Sequence, residues 1–260
     1  MVQLQSPITD RLRGKVCIIT GSGGSIGRAA AERFASEGAQ VVGCDVSASA
    51  AEATLKAVRS SGGTMVSLSG RDLRDPTACD ALVELSMETF NRIDVVFNVA
   101  ASAHFDWLEH LSHSDFMATL DGEVKIVFNL TKAAWPALGR CGGSIINMAS
   151  VSGWIGYEAL PGLAHSAGKG AVLAMTRHLA MEGRHHGIRV NSISPGLIET
   201  GATQALMNDP AFKMTMLRKI MLGRAGRPNE VAAVAAFLAS EDSSFVTAAD
   251  IRIDGGTTAW

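Results

Sequence analysis

The stretch VCIITGSGGSIGR, residues Val16 to Arg28, decides the fold of this chain. It opens with an apolar run of the length and branching of a buried parallel strand, continues through closely spaced glycines, and enters a helical pattern at Arg28. Glycines let the backbone approach a diphosphate closely, and the free N–H groups and positive dipole end of a helix stabilise its charge. The stretch therefore predicts a strand, a tight turn and a helix that bind a dinucleotide.

An acidic residue ends the next predicted strand. The run Ala39 to Cys44 leads directly into Asp45. A carboxylate at this place accepts the ribose hydroxyls of NAD and repels the 2′-phosphate of NADP. The glycine turn and Asp45 together favour NAD as the cofactor over a tight turn that binds nothing.

Composition narrows the class of protein. The chain has 260 residues and a formal net charge of -2, without a block of like charge. We therefore expect no nucleic-acid or membrane partner, and no apolar stretch has the length of a membrane span. The segment Met1–Lys15 lacks the apolar core of a leader. The sequence indicates one domain over residues 1–260 in a cytoplasmic protein.

Helical and extended patterns alternate along the chain, which predicts successive βα units on a parallel sheet. Ligands bind outside the carboxyl ends of such strands. One edge of the sheet should therefore carry the residues that follow the predicted strands, which are Gly21, Asp45, Asp72, Asn98, Ser150 and Pro195. Two long helices are predicted over about Asp115–Leu138, with Ser114 as its N-cap, and about Ala164–Arg184.

Two further features have ordinary interpretations. Residues 201–222 are rich in methionine and other apolar residues, which fits a packed helix pair or a flexible lid over the substrate. The four cysteines, Cys17, Cys44, Cys79 and Cys141, lack metal-ligand spacing. We expect these thiols to be reduced and buried, with no metal site.

From about Leu12 to Thr258 the chain resembles the short-chain dehydrogenase/reductase family. Thr20–Gly27 is similar to its T-G-x-x-x-G-x-G turn, with Ser25 in place of the middle glycine, and Asn191–Thr200 reproduces its N-x-x-x-P-G-x-x-x-T. The resemblance implies a single-domain Rossmann fold, a doubly wound α/β sheet of about seven strands with helices on both faces, and a homotetramer or dimer. It assigns NAD binding to Gly21, Ser25, Ile26, Gly27, Asp45, Asp72, Leu73, Asn98, Ala100, Lys169, Pro195, Gly196, Ile198 and Thr200.

The resemblance also gives the catalytic positions, and two of them are altered. Ser150 and Lys169 match the family's serine and lysine, whereas His165 stands where its tyrosine belongs and Glu123 where its asparagine belongs. Histidine as a residue type exchanges protons near neutral pH. The sequence leaves open whether Glu123 orients the imidazole, favours its protonated form or pairs with Lys169, and whether His165 merely fills space.

Substrate contacts are less defined. His104, Trp154 and Tyr157, the only tyrosine, fall near the same edge, although such residues more often pack or face solvent. Phe105, Trp107 and Trp154 also fall in segments near this edge. If these three side chains face the pocket, the small-molecule substrate is apolar and cyclic or aromatic.

These residues are compatible with three functions. The first is an NAD(H)-dependent oxidoreductase that interconverts a secondary alcohol and a ketone. The second is a redox-neutral lyase or isomerase that uses His165 and Glu123 as an acid/base pair. The third is a degenerate NAD-binding protein. Retention of Ser150, Lys169 and the segment Pro195–Thr200 favours turnover over NAD binding without turnover.

Overall fold

The computed structural model describes residues 10–260, and residues 1–9, the start of the polar segment Met1–Lys15, lie outside the described residues. The described chain contains one parallel sheet of seven strands. The strands are β1 (Val16–Thr20), β2 (Gln40–Asp45), β3 (Thr64–Ser69), β4 (Val95–Asn98), β5 (Gly143–Met148), β6 (Ile188–Pro195) and β7 (Asp250–Ile253). Their order is β3-β2-β1-β4-β5-β6-β7, so the winding reverses between β1 and β4 and opens a crevice there. The predicted doubly wound α/β fold is confirmed.

Helices cover both faces of this sheet. They are α1 (Ser25–Ser36), α2 (Ala48–Ser60), α3 (Pro76–Phe90), α4 (His113–Leu120), α5 (Ile126–Cys141), α6 (Leu163–Gly183), α7 (Gly201–Met207), α8 (Pro210–Arg218) and α9 (Pro228–Ala239). Among the described residues, we find no helix that is long and apolar enough to cross a membrane.

Two apolar cores lie on opposite faces of the sheet. Ile19 and Phe97 pack with α1 and α9 on one face, and Ile18 and Val96 pack with α3, α5 and α6 on the other. Successive residues of a strand point to opposite faces of the sheet, and both faces are covered here. Residues on both faces are therefore buried, which explains the continuous apolar runs in the sequence of the strands. Since both faces are covered, the carboxyl edge is where a ligand reaches the sheet.

The first long helix differs from its prediction in a way that shapes the site. It begins at His113 rather than Asp115, because the Ser112 hydroxyl, not that of Ser114, accepts from the Asp115 N–H at 3.0 Å. Residues Asp121–Lys125 then form a π-helical segment between α4 and α5. Such a segment inserts an extra residue into the turn and is frequent at functional sites.

The cysteine prediction is correct for three of the four thiols. Cys17, Cys44 and Cys79 are buried, and burial raises the pKa of Cys44 and of Cys79 to about 12. Cys141 is exposed, because it closes α5 where the last helical turn faces solvent. The prediction of burial was wrong for that residue.

Candidate active site

The glycine turn forms one wall of a cleft of about 390 Å³ at the switch point. A Cβ at Gly27 would overlap the carbonyl oxygen of Gly21, so a side chain there would push α1 away from the turn. Gly21 itself has φ +63°, a conformation that glycine adopts without strain. The cleft walls include Gly21, Ser25, Ile26, Gly27, Asp45, Asp72, Leu73, Ala100 and Thr200. This cradle fits the diphosphate of a dinucleotide.

Asp45 is held rigidly at the end of β2. One carboxylate oxygen accepts from the Gly23 N–H at 2.9 Å, and the other accepts from the Ser47 N–H at 2.8 Å. These two bonds fix a negative charge in the cleft wall. A ribose hydroxyl would donate to it, whereas a phosphate group would be repelled.

Ser25 and Asp72 make specific contacts at the same cleft. The Ser25 hydroxyl accepts from the Gly201 N–H at 3.2 Å and so joins the glycine turn to the start of α7. The Arg74 side chain hydrogen-bonds Asp72 and lowers the pKa of that carboxyl. Ser25, which departs from the family pattern, therefore links the turn to the segment that covers the substrate side.

Several residues predicted to bind the cofactor lie behind the cleft wall instead. The amide of Asn98 is buried and donates to the Asn147 side chain at 2.9 Å, because the two residues are register partners on the neighbouring strands β4 and β5. Ile198 is buried at a bridge to Gly226. Pro195 closes β6. Their backbones shape the edge, but the side chains of Asn98 and Ile198 face the protein interior.

Glu123, His165 and Lys169 form a cluster beneath the substrate side. Glu123 lies in the π-helical segment and is 1% exposed. One of its carboxylate oxygens, Oε1, is 2.7 Å from Nδ1 of His165 and 3.6 Å from Nζ of Lys169. The Lys169 ammonium also donates to the Met148 carbonyl at 3.0 Å. The structure therefore brings together the two altered positions and the lysine.

Helix geometry explains how α6 accommodates this cluster. His165, Gly168 and Lys169 lie one turn apart on one face of α6, since residues three and four apart are neighbours on a helix. A Cβ at Gly168 would lie 2.5 Å from Oε2 of Glu123. The absent side chain at Gly168 is what leaves room for the carboxylate.

The charges in the cluster have unequal surroundings. Burial lowers the pKa of Lys169, and the neighbouring Glu123 carboxylate opposes that change. Oε2 of Glu123 has no hydrogen-bond partner within residues 10–260. A carboxylate at Nδ1 holds a proton on that nitrogen and leaves Nε2 for other chemistry. These contacts are compatible with each role considered for Glu123, namely orienting the imidazole, stabilising its protonated form and pairing with Lys169.

A second cavity, of about 530 Å³, adjoins this cluster at His165. Ser150 and His165 both line it, and the Ser150 hydroxyl accepts from the Ser152 N–H at 3.1 Å, which leaves its own proton free to donate. The Phe105 ring lies 5.3 Å from the His165 ring. Gly196 and the apolar residues Val151, Leu160, Pro161, Leu197, Leu206, Phe212 and Met216 form much of the remaining wall. Most of this wall is apolar, and its polar side chains are those of Ser150, Ser152, Tyr157, His165 and Thr203.

The predicted substrate residues divide between wall and surface. Tyr157 lines the cavity. His104 is exposed, with its ring 3.6 Å from Asp115, and Trp154 is exposed, with its indole N–H donating to Asp250 at 3.0 Å. In the described chain these two side chains contact carboxylates and are not among the residues that line the cavity, and their role toward a substrate stays a prediction.

Sequence reasoning missed parts of the cavity wall. Leu160 and Pro161 precede α6 in a loop whose apolar character was the only signal. In contrast, α7 and α8 lie in the expected segment 201–222, and Leu206, Phe212 and Met216 of that segment face the cavity.

Known proteins resemble this chain over nearly its whole length. The family model described as enoyl-(acyl carrier protein) reductase matches residues 21–258. Human (3R)-3-hydroxyacyl-CoA dehydrogenase is 35% identical over an alignment 262 residues long. The alignment covers 97% of this chain and 99% of that protein. A 3-oxoacyl-acyl-carrier-protein reductase of Thermotoga maritima is 38% identical over 248 residues, which cover 95% and 98%. The crystal structure of a short-chain type dehydrogenase/reductase from Mycobacterium marinum matches with a TM-score of 0.92 at 31% identity, covering 96% of this chain and 98% of that one.

Proposed function

The chain belongs to the short-chain dehydrogenase/reductase family, and on that basis we propose that it is an NAD(H)-dependent oxidoreductase that interconverts a secondary alcohol and a ketone. His165 takes the place of the family's tyrosine as the acid/base, Ser150 polarises the substrate oxygen, and Lys169 binds the nicotinamide ribose. The observation that carries the proposal is the 2.7 Å contact between His165 Nδ1 and the buried Glu123 carboxylate. A residue that merely fills space has no need of such a partner.

In ketone reduction, the residues act on the carbonyl oxygen. Ser150 donates a hydrogen bond to that oxygen and stabilises the negative charge that develops on it. His165 enters protonated, donates the Nε2 proton to the oxygen, and keeps its Nδ1 proton on Glu123. Bound NADH supplies the hydride that reduces the carbonyl carbon. His165 ends neutral and oriented by Glu123.

In alcohol oxidation the proton moves the other way. Neutral His165 accepts the hydroxyl proton at Nε2, and Glu123 stabilises the imidazolium that forms. Reduction therefore needs the imidazolium and oxidation needs the imidazole. The two directions should show opposite pH dependences.

We propose NAD as the cofactor on the basis of Asp45. Its carboxylate is fixed by the N–H groups of Gly23 and Ser47 at 2.9 and 2.8 Å, so it cannot turn away from an incoming 2′-phosphate. The segment Ser22–Ile26 carries no basic residue to offset this charge. NADP should therefore bind more weakly than NAD.

The cavity supports an apolar substrate. Its walls are chiefly aliphatic and aromatic side chains, which suit a small hydrophobic molecule with a cyclic or aromatic body. The human relative is named as a dehydrogenase of a hydroxy compound, and the Thermotoga maritima relative is named as a reductase of an oxo compound. The two names therefore describe the alcohol side and the ketone side of one kind of reaction. We propose that α7 and α8, within residues 201–222, act as the lid over this molecule.

The function is tested by following NADH absorbance while the protein is incubated with apolar ketones, and NAD reduction with the matching alcohols. Turnover in both directions supports the oxidoreductase. NAD binding with conversion of a compound but no net change in NADH would instead support a redox-neutral lyase or isomerase that uses the His165–Glu123 pair. Binding with no conversion would support a degenerate site.

We also propose a homotetramer, or a dimer, that uses the long helices and the segment Ile251–Trp260. The support lies on α5 and α6, where the apolar side chains of Phe128 and Met181 are exposed. Exposed apolar surface of this kind is common where subunits meet. Light scattering at micromolar concentration tests it, and a monomer mass would contradict it.

A further inference from the structure

We propose that the hydroxyl of Tyr157 binds a second, neutral oxygen of the substrate, so that the enzyme favours ketones and alcohols that carry another carbonyl, hydroxyl or ether group. This inference rests on the proposed oxidoreductase function and names the substrate class for it. It depends on the position of one side chain, its fixed ring and its unused donor.

Tyr157 lies where two cavities adjoin. It lines the cavity of about 530 Å³ that holds Ser150 and His165, and it also lines a neighbouring cavity of about 450 Å³. Ala159 and Met216 also line both cavities, whereas Ser150 and His165 line only the cavity of about 530 Å³. A substrate with its reacting carbon at His165 therefore meets Tyr157 on a wall separate from the catalytic groups.

The Tyr157 ring is held by packing. It contacts the apolar cluster formed by Leu197, Met216, Ile220 and Ala225. Met216 belongs to α8, and Leu197 follows β6 directly, so the ring is fixed between the body of the protein and the segment over the cavity. A ring fixed on its apolar sides presents its hydroxyl in a defined direction, which is what a specificity contact requires.

The hydroxyl has no hydrogen-bond partner in the described part of the chain, although the residue is half-buried. This hydroxyl is not among the sealed, unpaired side-chain atoms of the described chain, so it is open to solvent and to a ligand. A few accessible polar groups in a mainly apolar cavity wall are what fixes the orientation of a bound ligand. Thr203, another hydroxyl of the wall, already donates to the Ile198 carbonyl at 2.6 Å. Ser152 lies two residues from Ser150, close to the proposed catalytic groups.

The chemistry of the wall indicates a neutral partner that accepts a hydrogen bond. Burial raises the pKa of Tyr157 to about 12, so the phenol remains a donor across the working pH range. Within residues 10–260, the wall of the catalytic cavity contains no Lys, Arg, Asp or Glu. A carboxylate in this cavity would lose its hydration and meet no free counter-charge, since a protonated His165 is already paired with Glu123. A carbonyl or hydroxyl would lose little. Glu158, Arg218 and Lys219 line only the neighbouring cavity.

The test compares ketones that differ in one oxygen. Two matched pairs of neutral ketones, cyclohexanone with cyclohexane-1,4-dione and 2,2-dimethylcyclohexanone with 2,2-dimethylcyclohexane-1,3-dione, are offered to the wild-type enzyme and to Tyr157→Phe, which keeps the ring and removes the hydroxyl. We expect one dione to exceed its matching monoketone in kcat/KM by about tenfold or more with the wild type, and Tyr157→Phe to lose most of that ratio. Retention of the preference by Tyr157→Phe would overturn the inference, as would a stronger preference for 4-oxocyclohexanecarboxylate.

A second readout does not depend on turnover. Because the chain has one tyrosine, carbon-13 labelling at its Cζ gives a single NMR signal. The signal should move when a dione is added in the presence of NAD and stay in place with cyclohexanone. A shift without any NADH oxidation would support the Tyr157 contact and contradict the oxidoreductase function. Turnover without a shift for any dione would contradict the Tyr157 contact alone.

Discussion

Gly168→Ala should damage catalysis without damaging the fold. The new Cβ would lie 2.5 Å from Oε2 and 3.3 Å from Cβ of Glu123, so the carboxylate must move by about 1 Å to restore ordinary contact. That movement breaks the 2.7 Å contact between Glu123 and His165 Nδ1. A misplacement of this size around a catalytic group lowers turnover by roughly 10²-fold.

The fold should tolerate the change. The atom displaced is the free end of a side chain, and alanine favours a helix over glycine by about 1 kcal/mol. Gly170→Ala is the matched control, since it lies two residues further along α6 and its added Cβ meets no atom of the described chain within 4 Å. Both variants gain the same helix propensity, but only Gly168→Ala disturbs Glu123.

The assay is steady-state NADH oxidation with a ketone, beside NAD affinity from fluorescence titration and a thermal unfolding midpoint. We expect Gly168→Ala to fall about 10²-fold in kcat with unchanged NAD affinity, and Gly170→Ala to match the wild type. Equal turnover in the two alanine variants would refute the reasoning, because it would mean that the position of Glu123 does not matter.

Three other outcomes follow from the structure. NAD should bind more tightly than NADP, and Asp45→Ala should narrow the difference; equal dissociation constants in the wild type would contradict the role of that carboxylate. Because burial raises the pKa of Tyr157 to about 12, the stability that its protonation contributes is complete below the unfolded value near 10 and is lost as the pH rises through about 12. A tyrosinate absorbance titration of the folded protein with its midpoint near 10 would contradict this. His165→Tyr should move the pH profiles of both directions to higher pH, since phenols titrate above imidazoles; unchanged profiles would mean that this side chain does not carry the proton.

The fold was predictable because its signals are local. The buried strand before Gly21, the close approach that requires Gly27 and the carboxylate of Asp45 each depend on residues adjacent in the chain. Alternating helical and extended segments then left few ways to arrange the sheet. The doubly wound parallel sheet of about seven strands was accordingly predictable from the sequence.

The contacts of the site were less predictable because they join distant residues. His165 and Glu123 are 42 positions apart, and their contact depends on a π-helical segment that no periodic pattern announces. The hydrogen bond between Asn98 and Asn147 was difficult to predict for the same reason, because the two residues belong to different strands that become neighbours only in the folded sheet. The contacts of His104 with Asp115 and of Trp154 with Asp250 were not predicted, because the positions of loop side chains depend on partners that lie far away in the sequence or on another element.

The role of His165 as acid/base is tested most directly by the turnover of His165→Phe. Phenylalanine keeps a planar ring against Phe105, whose ring centroid is 5.3 Å away, and removes both nitrogens. With ketone and NADH saturating, we predict a loss of about 10² to 10⁴ in turnover while NAD affinity is nearly unchanged. Full turnover by His165→Phe would contradict the account and would assign the proton transfer to Glu123, His104 or water.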